Sequence, residues 1–234
     1  MISISILVPV YNEENSLLDI LKKIKKVRNN IDTEIIIIND GSTDNTKKII
    51  EDNKNYYDVV KHFKKNMGKG KAIIEALKMS TKDYVFFQDA DLEYDPIDLN
   101  NFVETVDAFS ADFIMGSRFI SDKSSVLHFW HMLGNKFITF VFNILNNTTF
   151  TDIYCCHCLF KRKNLPILKL KSFGWGQQAE ILTYLSSNSI KIYDIGINYN
   201  ARKYSEGKKI KYYHIFEIIY WIIITRIRVF FNTY

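Results

Sequence analysis

The sequence predicts an α/β fold built on a mostly parallel sheet with helices on both of its faces. Three near-continuous apolar runs, at residues 2–10, 34–38 and 84–87, have the length and composition of buried strands. Leu17, Leu21 and Ile24 follow the first run at helical spacing and predict an amphipathic helix. Strands that are apolar on both faces and alternate with helices are typical of parallel sheets covered on both sides.

The other elements are predicted by weaker patterns in the same alternation. A helix is expected from about Thr43, and another opens at Gly68-Lys69-Gly70-Lys71 and runs to Met79. The remaining strands are expected at residues 59–63, 112–115, 152–160 and 190–199, and the remaining helices at residues 96–109 and 177–185.

Residues 1–211 are expected to form one α/β domain. Within it, residues 126–146 are rich in aromatic and aliphatic side chains but broken by polar ones, which predicts an amphipathic segment on the acceptor side. Residues 212–234 predict a C-terminal amphipathic helix. The uncharged stretch between Glu217 and Arg226 is too short to span a bilayer, so this helix either lies at a membrane interface or packs on the core.

Composition narrows the partners and the location. The 234 residues include 31 basic and 26 acidic ones, which gives a net charge of +5 with neutral histidines. This mild excess suits an anionic ligand or a membrane surface and does not require nucleic acid. The three cysteines are an odd number and argue against a disulfide framework. Because residues 1–10 lack a basic leader, the expected location is the cytoplasm, peripherally associated with the cytoplasmic face of a membrane.

The strongest candidate for chemistry is the acidic stretch after the fourth predicted strand. Asp89, Asp91 and Glu93 occupy alternate positions, which share one face in an extended chain. Converging carboxylates suit a hard cation such as Mg²⁺ or Mn²⁺, which keeps positions open for diphosphate oxygens. The alternative is an acidic turn in which Asp95 caps a helix that begins at Pro96.

Polar clusters lie at the end of most predicted strands, where open α/β sheets bind their ligands. They are Tyr11 to Glu13, Asp40, Gly68 to Lys71, Asp89 to Glu93, and Ser117 with Arg118. Five such clusters at one edge of the sheet indicate a single ligand site.

Taken in order, these clusters resemble the motifs of family-two glycosyltransferases. The matching stretches are Val8-Pro9-Val10-Tyr11-Asn12-Glu13, Asn39-Asp40-Gly41-Ser42-Thr43-Asp44, Gly68-Lys69-Gly70, Gln88-Asp89-Ala90-Asp91-Leu92 and Gly116-Ser117-Arg118-Phe119. Later matches at Thr151-Asp152 and Tyr204-x-Glu206-Gly207-Lys208-Lys209 make the chain look like the dolichyl-phosphate and polyprenyl-phosphate sugar transferases. The series covers nearly the whole chain and is far more specific than any single motif in it.

The resemblance implies a Rossmann-like GT-A fold, a nucleotide-sugar donor, a divalent Mg or Mn ion and inversion at the anomeric carbon. The implied donor-binding residues are Pro9, Tyr11, Glu13, Asp40, Lys69, Asp89, Ala90 and Asp91, with Asp40 on the base. The implied metal ligands are Asp89, Asp91 and Glu93. The implied acceptor and phosphate ligands are Arg118, Arg202, Ser205 and Lys208, and the implied catalytic residues are Asp91, Arg118 and Glu180.

Two departures from the family pattern concern the acceptor. Relatives usually carry Thr-Gly-Tyr-Lys or Thr-Cys-Tyr-Lys after the Thr-Asp pair, where this chain has Cys155-Cys156-His157-Cys158. The usual Glu-Pro-Glu is Gln178-Ala179-Glu180. The Cys and His cluster is better explained as buried packing than as a zinc site, because adjacent residues of a strand point to opposite faces.

Three functions remain open from the sequence. The first is transfer of a hexose, from UDP-glucose or GDP-mannose, to a polyprenyl or dolichyl phosphate, which is ionised near neutral pH and needs no strong general base. The second is transfer to a glycan or polysaccharide hydroxyl, which needs a base, for which Glu180 is the candidate. The third is a non-catalytic nucleotide-binding scaffold at a membrane. The Asp89 and Asp91 pair argues against the scaffold, which has no need of it.

Overall fold

A computed structural model describes residues 2–27, 31–121, 129–201 and 214–232. The strands in these ranges are β1 (Ser3–Val10), β2 (Asp32–Asn39), β3 (Val59–His62), β4 (Tyr84–Phe87), β5 (Phe113–Ser117), β6 (Cys158–Lys161) and β7 (Ile192–Gly196). They form one sheet in the order β3-β2-β1-β4-β6-β5-β7. All neighbours pair in parallel except β6, which runs antiparallel to β4 and β5. The predicted mostly parallel sheet is confirmed.

The helices are α1 (Leu17–Val27), α2 (Thr46–Asp52), α3 (Lys69–Met79), α4 (Leu99–Phe109), α5 (Phe129–Asn146), α6 (Gln177–Asn188) and α7 (His214–Asn232). The chain steps from β1 to β2 to β3 and then returns through α3 to β4, on the other side of β1. Crossovers between parallel strands are right-handed, so this reversal places α3 on the opposite face of the sheet from α1 and α2. The helices therefore cover both faces, as predicted.

The core lies on both sides of the central strands. Ile4, Leu7, Ile36 and Val85 are completely buried. β-Branched and aliphatic side chains pack well on a pleated surface, which is why these runs form strands. Burial on both faces also explains why the strands read as continuous apolar runs rather than as alternating ones.

Two strands of the second half differ from the prediction. The strand expected at residues 152–160 is limited to β6, because residues 151–157 form bends and turns. The turn is stabilised by the Asp152 carboxylate, which accepts a hydrogen bond from the Tyr154 N–H at 3.1 Å. The strand expected at residues 190–199 is the shorter β7, which pairs in parallel with β5.

α7 packs against α5 and α6 along one of its sides and exposes apolar residues along the other. Ile218, Ile222 and Thr225 are buried. The exposed side carries Phe216, Tyr220, Phe230 and Phe231, and α5 exposes Phe129, Trp130, Phe137 and Phe140. We call these eight exposed residues the α5–α7 apolar face. Within the described ranges, no helix has the length and apolar character needed to cross a membrane.

Candidate active site

The candidate site lies at the carboxyl edge of the sheet, where β1 and β4 are neighbours. β1 continues into Tyr11 and Asn12, and β4 continues into Gln88 and Asp89. The chain leaves β1 on one side and reaches β4 from the other, which makes this the switch point at which open α/β sheets bind ligands. The clusters after β1 and β4 therefore meet at one place, as the sequence predicts.

An ion pair joins the acidic stretch to the start of α3. Lys69 Nζ lies 2.5 Å from Asp89 Oδ1, and the Asp89 side chain is 16% exposed. Gly68, which precedes the helix, has a φ of +91° that favours glycine. Burial opposes the charge of each partner, but the attraction between them outweighs it, so the pKa of Asp89 is lowered and that of Lys69 is raised. Both groups are charged at neutral pH.

The three acidic residues after β4 do not share one face. Residues 90–93 form a bend and a turn, in which Asp91 Oδ1 accepts a hydrogen bond from the Glu93 N–H at 3.1 Å. Glu93 Oε2 instead accepts a hydrogen bond from the Tyr199 hydroxyl at 3.0 Å. Among the residues that the structure describes, no three His, Cys, Asp or Glu side chains are placed to hold one metal ion. The predicted convergence of three carboxylates is wrong, because it assumed an extended chain.

Asp89 and Asp91 are the two carboxylates whose chemistry fits a divalent ion. Mg²⁺ is usually held by one or two carboxylates, with substrate phosphates and water completing its shell. The lowered pKa of Asp89 keeps this carboxylate ionised, as a metal ligand must be. Lys69 occupies one Asp89 oxygen, so a metal ion at Asp89 would share the carboxylate with Lys69 or replace it.

Asp40, expected to contact the base, holds the loop that leads into α3. Its Oδ1 accepts a hydrogen bond from the Met67 N–H at 2.7 Å, and its Oδ2 accepts one from the Gly68 N–H at 2.9 Å. Asp40 is buried. Both oxygens therefore help to fix the backbone from which Lys69 reaches Asp89.

The other residues of the expected donor set surround the same edge. Pro9 is the second-to-last residue of β1 and pairs in register with Ile38. Tyr11 is half-buried, and Ala90 is buried at 3% exposure. Glu13 Oε2 accepts a hydrogen bond from the Ser16 hydroxyl at 2.6 Å. The structure thus brings the expected nucleoside side of the site together at the ends of β1 and β4.

Arg118 forms a buried bidentate ion pair with Asp152. Its Nε lies 2.6 Å from Asp152 Oδ2 and its Nη2 lies 2.9 Å from Oδ1. The Asp152 side chain is fully buried and that of Arg118 is 10% exposed. The guanidinium also lies over the Tyr199 ring, at 5.3 Å from its centroid. The family resemblance implied that Arg118 binds a phosphate of the substrates. In the structure, the charge of Arg118 is instead balanced by the Asp152 carboxylate of the same chain.

Glu180 is likewise committed to contacts within the protein. Its carboxylate accepts hydrogen bonds from the backbone N–H groups of Lys171 and Ser172, at 2.9 and 2.8 Å for the shorter contacts. Arg228 of α7 lies 3.5 Å from it. Burial raises the pKa of Glu180, which is fully buried. A general base must reach the proton that it removes, and the surroundings of Glu180 leave no such access.

Arg202, Ser205 and Lys208 lie outside the described residues. Residues 199 and 200, which precede them in the chain, are hydrogen-bonded to the acidic stretch. The Asn200 N–H donates to the Glu93 carbonyl at 2.9 Å, and Tyr94 and Tyr199 form an antiparallel bridge.

Sequence reasoning missed Gln88 and His157. His157 Nε2 lies 3.1 Å from Gln88 Oε1, and both side chains are completely buried. The three neighbouring cysteines are free and buried, which confirms the prediction of buried packing for them. A polar residue inside an otherwise apolar cluster was the available sign that His157 has a specific partner.

Comparison with known proteins places the chain among sugar transferases. The model of "Glycosyl transferase family 2" matches residues 5–166. The glycosyltransferase AglJ of Haloferax volcanii is 26% identical over 201 residues, which cover 86% of this chain and 64% of the relative. The UDP-N-acetylglucosamine–dolichyl-phosphate N-acetylglucosaminyltransferase of Methanococcus voltae is 26% identical, over 95% of this chain and 96% of the relative.

The fold agrees with that assignment. Glucosyl-3-phosphoglycerate synthase from Mycobacterium tuberculosis, solved with uridine diphosphate, superposes with a TM-score of 0.67 at 17% identity, over 97% of this chain and 79% of that one. The mostly parallel sheet and its flanking helices are thus those of the GT-A glycosyltransferases, as the sequence predicts. The chain belongs to glycosyl transferase family 2, since the family model covers residues 5–166 of its 234 residues.

Proposed function

We propose that this glycosyltransferase moves a hexose from a nucleotide sugar, UDP-glucose or GDP-mannose, to a polyprenyl or dolichyl phosphate with inversion. The observation that carries the proposal is the placement of Asp89, Asp91 and Lys69 at the switch point between β1 and β4. The Methanococcus voltae relative, whose name gives dolichyl phosphate as its acceptor, matches the chain over nearly the full length of both, which supports a lipid phosphate here as well.

On the donor side, the diphosphate would lie between the acidic stretch and the start of α3. Asp89 and Asp91 would hold a Mg²⁺ or Mn²⁺ ion, which when bound neutralises charge on the departing nucleoside diphosphate. Lys69 would turn from Asp89 to a phosphate oxygen, because a lysine ammonium is a mobile point charge with three donors. Asp40 would keep this lysine in reach by holding the Met67 and Gly68 N–H groups.

On the acceptor side, the burial of Glu180 favours a phosphate over a hydroxyl. A hydroxyl acceptor needs a base within hydrogen-bond distance, and the base expected from the sequence is fully buried. A phosphate oxygen is already ionised near neutral pH and attacks the anomeric carbon without such help. The basic residues Arg202 and Lys208, with Ser205, remain the proposed ligands of this acceptor phosphate.

Donor binding is tested by a thermal-shift panel of nucleotide sugars with and without Mn²⁺. A ligand that binds only the folded protein raises the melting temperature with the logarithm of its concentration. We expect UDP-glucose or GDP-mannose to stabilise the wild type in the presence of Mn²⁺. Asp91→Asn should abolish this shift and turnover, whereas the exposed Asp107→Asn on α4 should change neither. Equal donor binding by Asp91→Asn would refute the proposed site.

For location, we propose that the protein associates peripherally with the cytoplasmic face of a membrane through the α5–α7 apolar face. The exposed aromatic side chains of both helices lie on elements that pack against each other, which suits insertion at a headgroup boundary. The net charge of +5 adds attraction to anionic lipids. A lipid acceptor would then reach the protein from the same surface.

Vesicle flotation tests this location. Phe216→Ser with Phe231→Ser removes two side chains that are each 74% exposed, and should weaken binding to anionic vesicles by roughly tenfold or more. The matched control is Leu168→Ser with Ile190→Ser, since each of these residues is 92% exposed and lies outside α5 and α7. Equal loss in both double variants would contradict a specific docking face.

A further inference from the structure

The Gln88 side chain holds both ends of the loop that carries Asp89 and Asp91. We call residues 89–94 the acidic loop. Gln88 Nε2 donates one hydrogen bond to the carbonyl oxygen of Asp89 at 3.1 Å and one to that of Tyr94 at 3.2 Å. Gln88 is completely buried, so no water competes for these bonds. Both ends of the acidic loop are therefore held by the same amide group.

The direction of the Gln88 amide fixes the protonation of His157. Carbonyl oxygens only accept hydrogen bonds, so the Gln88 NH₂ group must face the loop and Oε1 must face His157. His157 Nε2, 3.1 Å from Oε1, must then carry the proton and donate it. Nδ1 is unprotonated, has no hydrogen-bond partner among the described residues and lies 3.8 Å from Asp98 Oδ2. Burial lowers the pKa of His157 to about 3, so the ring is neutral.

Aromatic rings fix the position of the His157 imidazole. The ring centroids of Phe86, Tyr94 and Phe102 lie 4.9, 5.0 and 6.3 Å from its own. A fully buried ring in such a cage has little freedom to turn, so its N–H points in one direction. This rigidity is what a residue needs in order to orient a neighbour.

Simple core packing does not account for a histidine at this place. Its Nδ1 is buried and has no hydrogen-bond partner in the described part of the chain, and an unpaired buried acceptor is costly. A phenylalanine would fill the same aromatic cage without that cost. Among the residues that the structure describes, the hydrogen bond to Gln88 is the one hydrogen bond that the imidazole gains in exchange.

We propose that His157 is a positioning residue for the donor site, which acts through Gln88 to set the geometry of the acidic loop and so the placement of Asp89 and Asp91. The inference rests on the proposed binding of the donor diphosphate by these carboxylates. It assigns a function to His157, which lies in the segment Cys155-Cys156-His157-Cys158 that departs from the family pattern.

The first test compares two substitutions at one position. His157→Phe keeps the ring and removes the donor, and should raise the donor KM and the half-saturating Mn²⁺ concentration about tenfold. His157→Gln offers an N–H at similar reach and should recover most of that loss. The control Ile24→Ala leaves a cavity in the α1 core and should lower the melting temperature without changing either constant. A His157→Phe enzyme that is destabilised like the control but keeps its KM overturns the proposal.

A double-mutant cycle with Gln88→Leu tests the route of action. If His157 acts through Gln88, the double variant should bind the donor no worse than Gln88→Leu alone. Additive losses would show that His157 acts independently and would overturn the proposal. Should His157→Phe fail to fold, ¹⁵N NMR of the wild-type imidazole decides: the Nε2–H tautomer supports the proposal and the Nδ1–H tautomer overturns it.

The outcome also separates this inference from the proposed function. If the wild type binds no nucleotide sugar, the proposed function fails. If the wild type binds one and His157→Phe binds it equally well, the function stands and the positioning role of His157 fails.

Discussion

Replacing Asp152 by Asn tests whether Arg118 has a structural role. The change removes the negative charge and keeps the side-chain shape. In the wild type, the Asp152 carboxylate accepts hydrogen bonds from the Arg118 Nε, Nη2 and backbone N–H and from the Tyr154 N–H, at 2.6 to 3.2 Å. The variant would leave a guanidinium that is only 10% exposed without its counter-charge.

The expected cost follows from that burial. Removing one partner of a buried ion pair typically costs about 3–5 kcal/mol, because the other charge stays out of water. With a urea m-value of roughly 2–3 kcal/mol/M for a chain of this size, Asp152→Asn should lower the unfolding midpoint by roughly 1–2.5 M. The surface pair Lys82 and Asp32, whose side chains are 27% and 49% exposed, provides the control. Asp32→Asn should cost less than about 1 kcal/mol.

Urea unfolding followed by circular dichroism measures both variants, and the double variant Arg118→Met with Asp152→Leu completes the set. Apolar residues of similar volume can replace a buried ion pair at little cost, so the double variant should recover most of the stability that Asp152→Asn loses. The reasoning is refuted if Asp152→Asn unfolds at the same urea concentration as Asp32→Asn.

Two further predictions concern stability. Partial burial opposes ionisation of Asp112, but Lys161 and two backbone N–H groups hold its pKa at about 2, below the ordinary 3.8. The stabilising effect of the ionised Asp112 carboxylate is thus present above pH 4 and lost as the pH falls towards 2. Asp112→Asn should therefore be less stable than the wild type in urea at pH 6. The difference between their unfolding free energies should narrow below pH 4. Gly70→Ala would place a Cβ 2.5 Å from the Phe173 carbonyl oxygen and should cost about 1–3 kcal/mol. Gly134→Ala, inside α5, would place a Cβ with no other described residue within 4 Å and should instead add about 0.5–1 kcal/mol. A destabilised Gly134→Ala would contradict this contrast.

The central sheet could be predicted because its strands are encoded locally. β1, β2 and β4 are apolar runs that are buried on both faces, and such runs have few other stable placements. β6 could not be delimited in this way. Its four residues pair antiparallel with β4 and β5, and the turn before it depends on the contact of Asp152 with Arg118, which lies 34 positions earlier in the chain.

The site shows the same division between local and distant information. The place of Asp89 at the end of β4 follows from the alternation of strands and helices. The pairing of Asp89 with Lys69 depends on how α3 crosses the sheet, which the sequence pattern does not specify. The Glu93 carboxylate does not converge with those of Asp89 and Asp91, because the chain turns at residues 90–93. The bond between Gln88 and His157 spans 69 positions and has no local pattern at all.

The most direct test of the proposed function is a transfer assay with two acceptors that differ only in the phosphate group. Radiolabelled UDP-glucose or GDP-mannose is supplied with Mn²⁺ and either polyprenyl phosphate or the uncharged polyprenol. We predict that label enters the organic phase with the phosphate only, and that Asp91→Asn abolishes the transfer. Label that appears solely in polysaccharide, or equally with the uncharged polyprenol, would contradict transfer to a lipid phosphate.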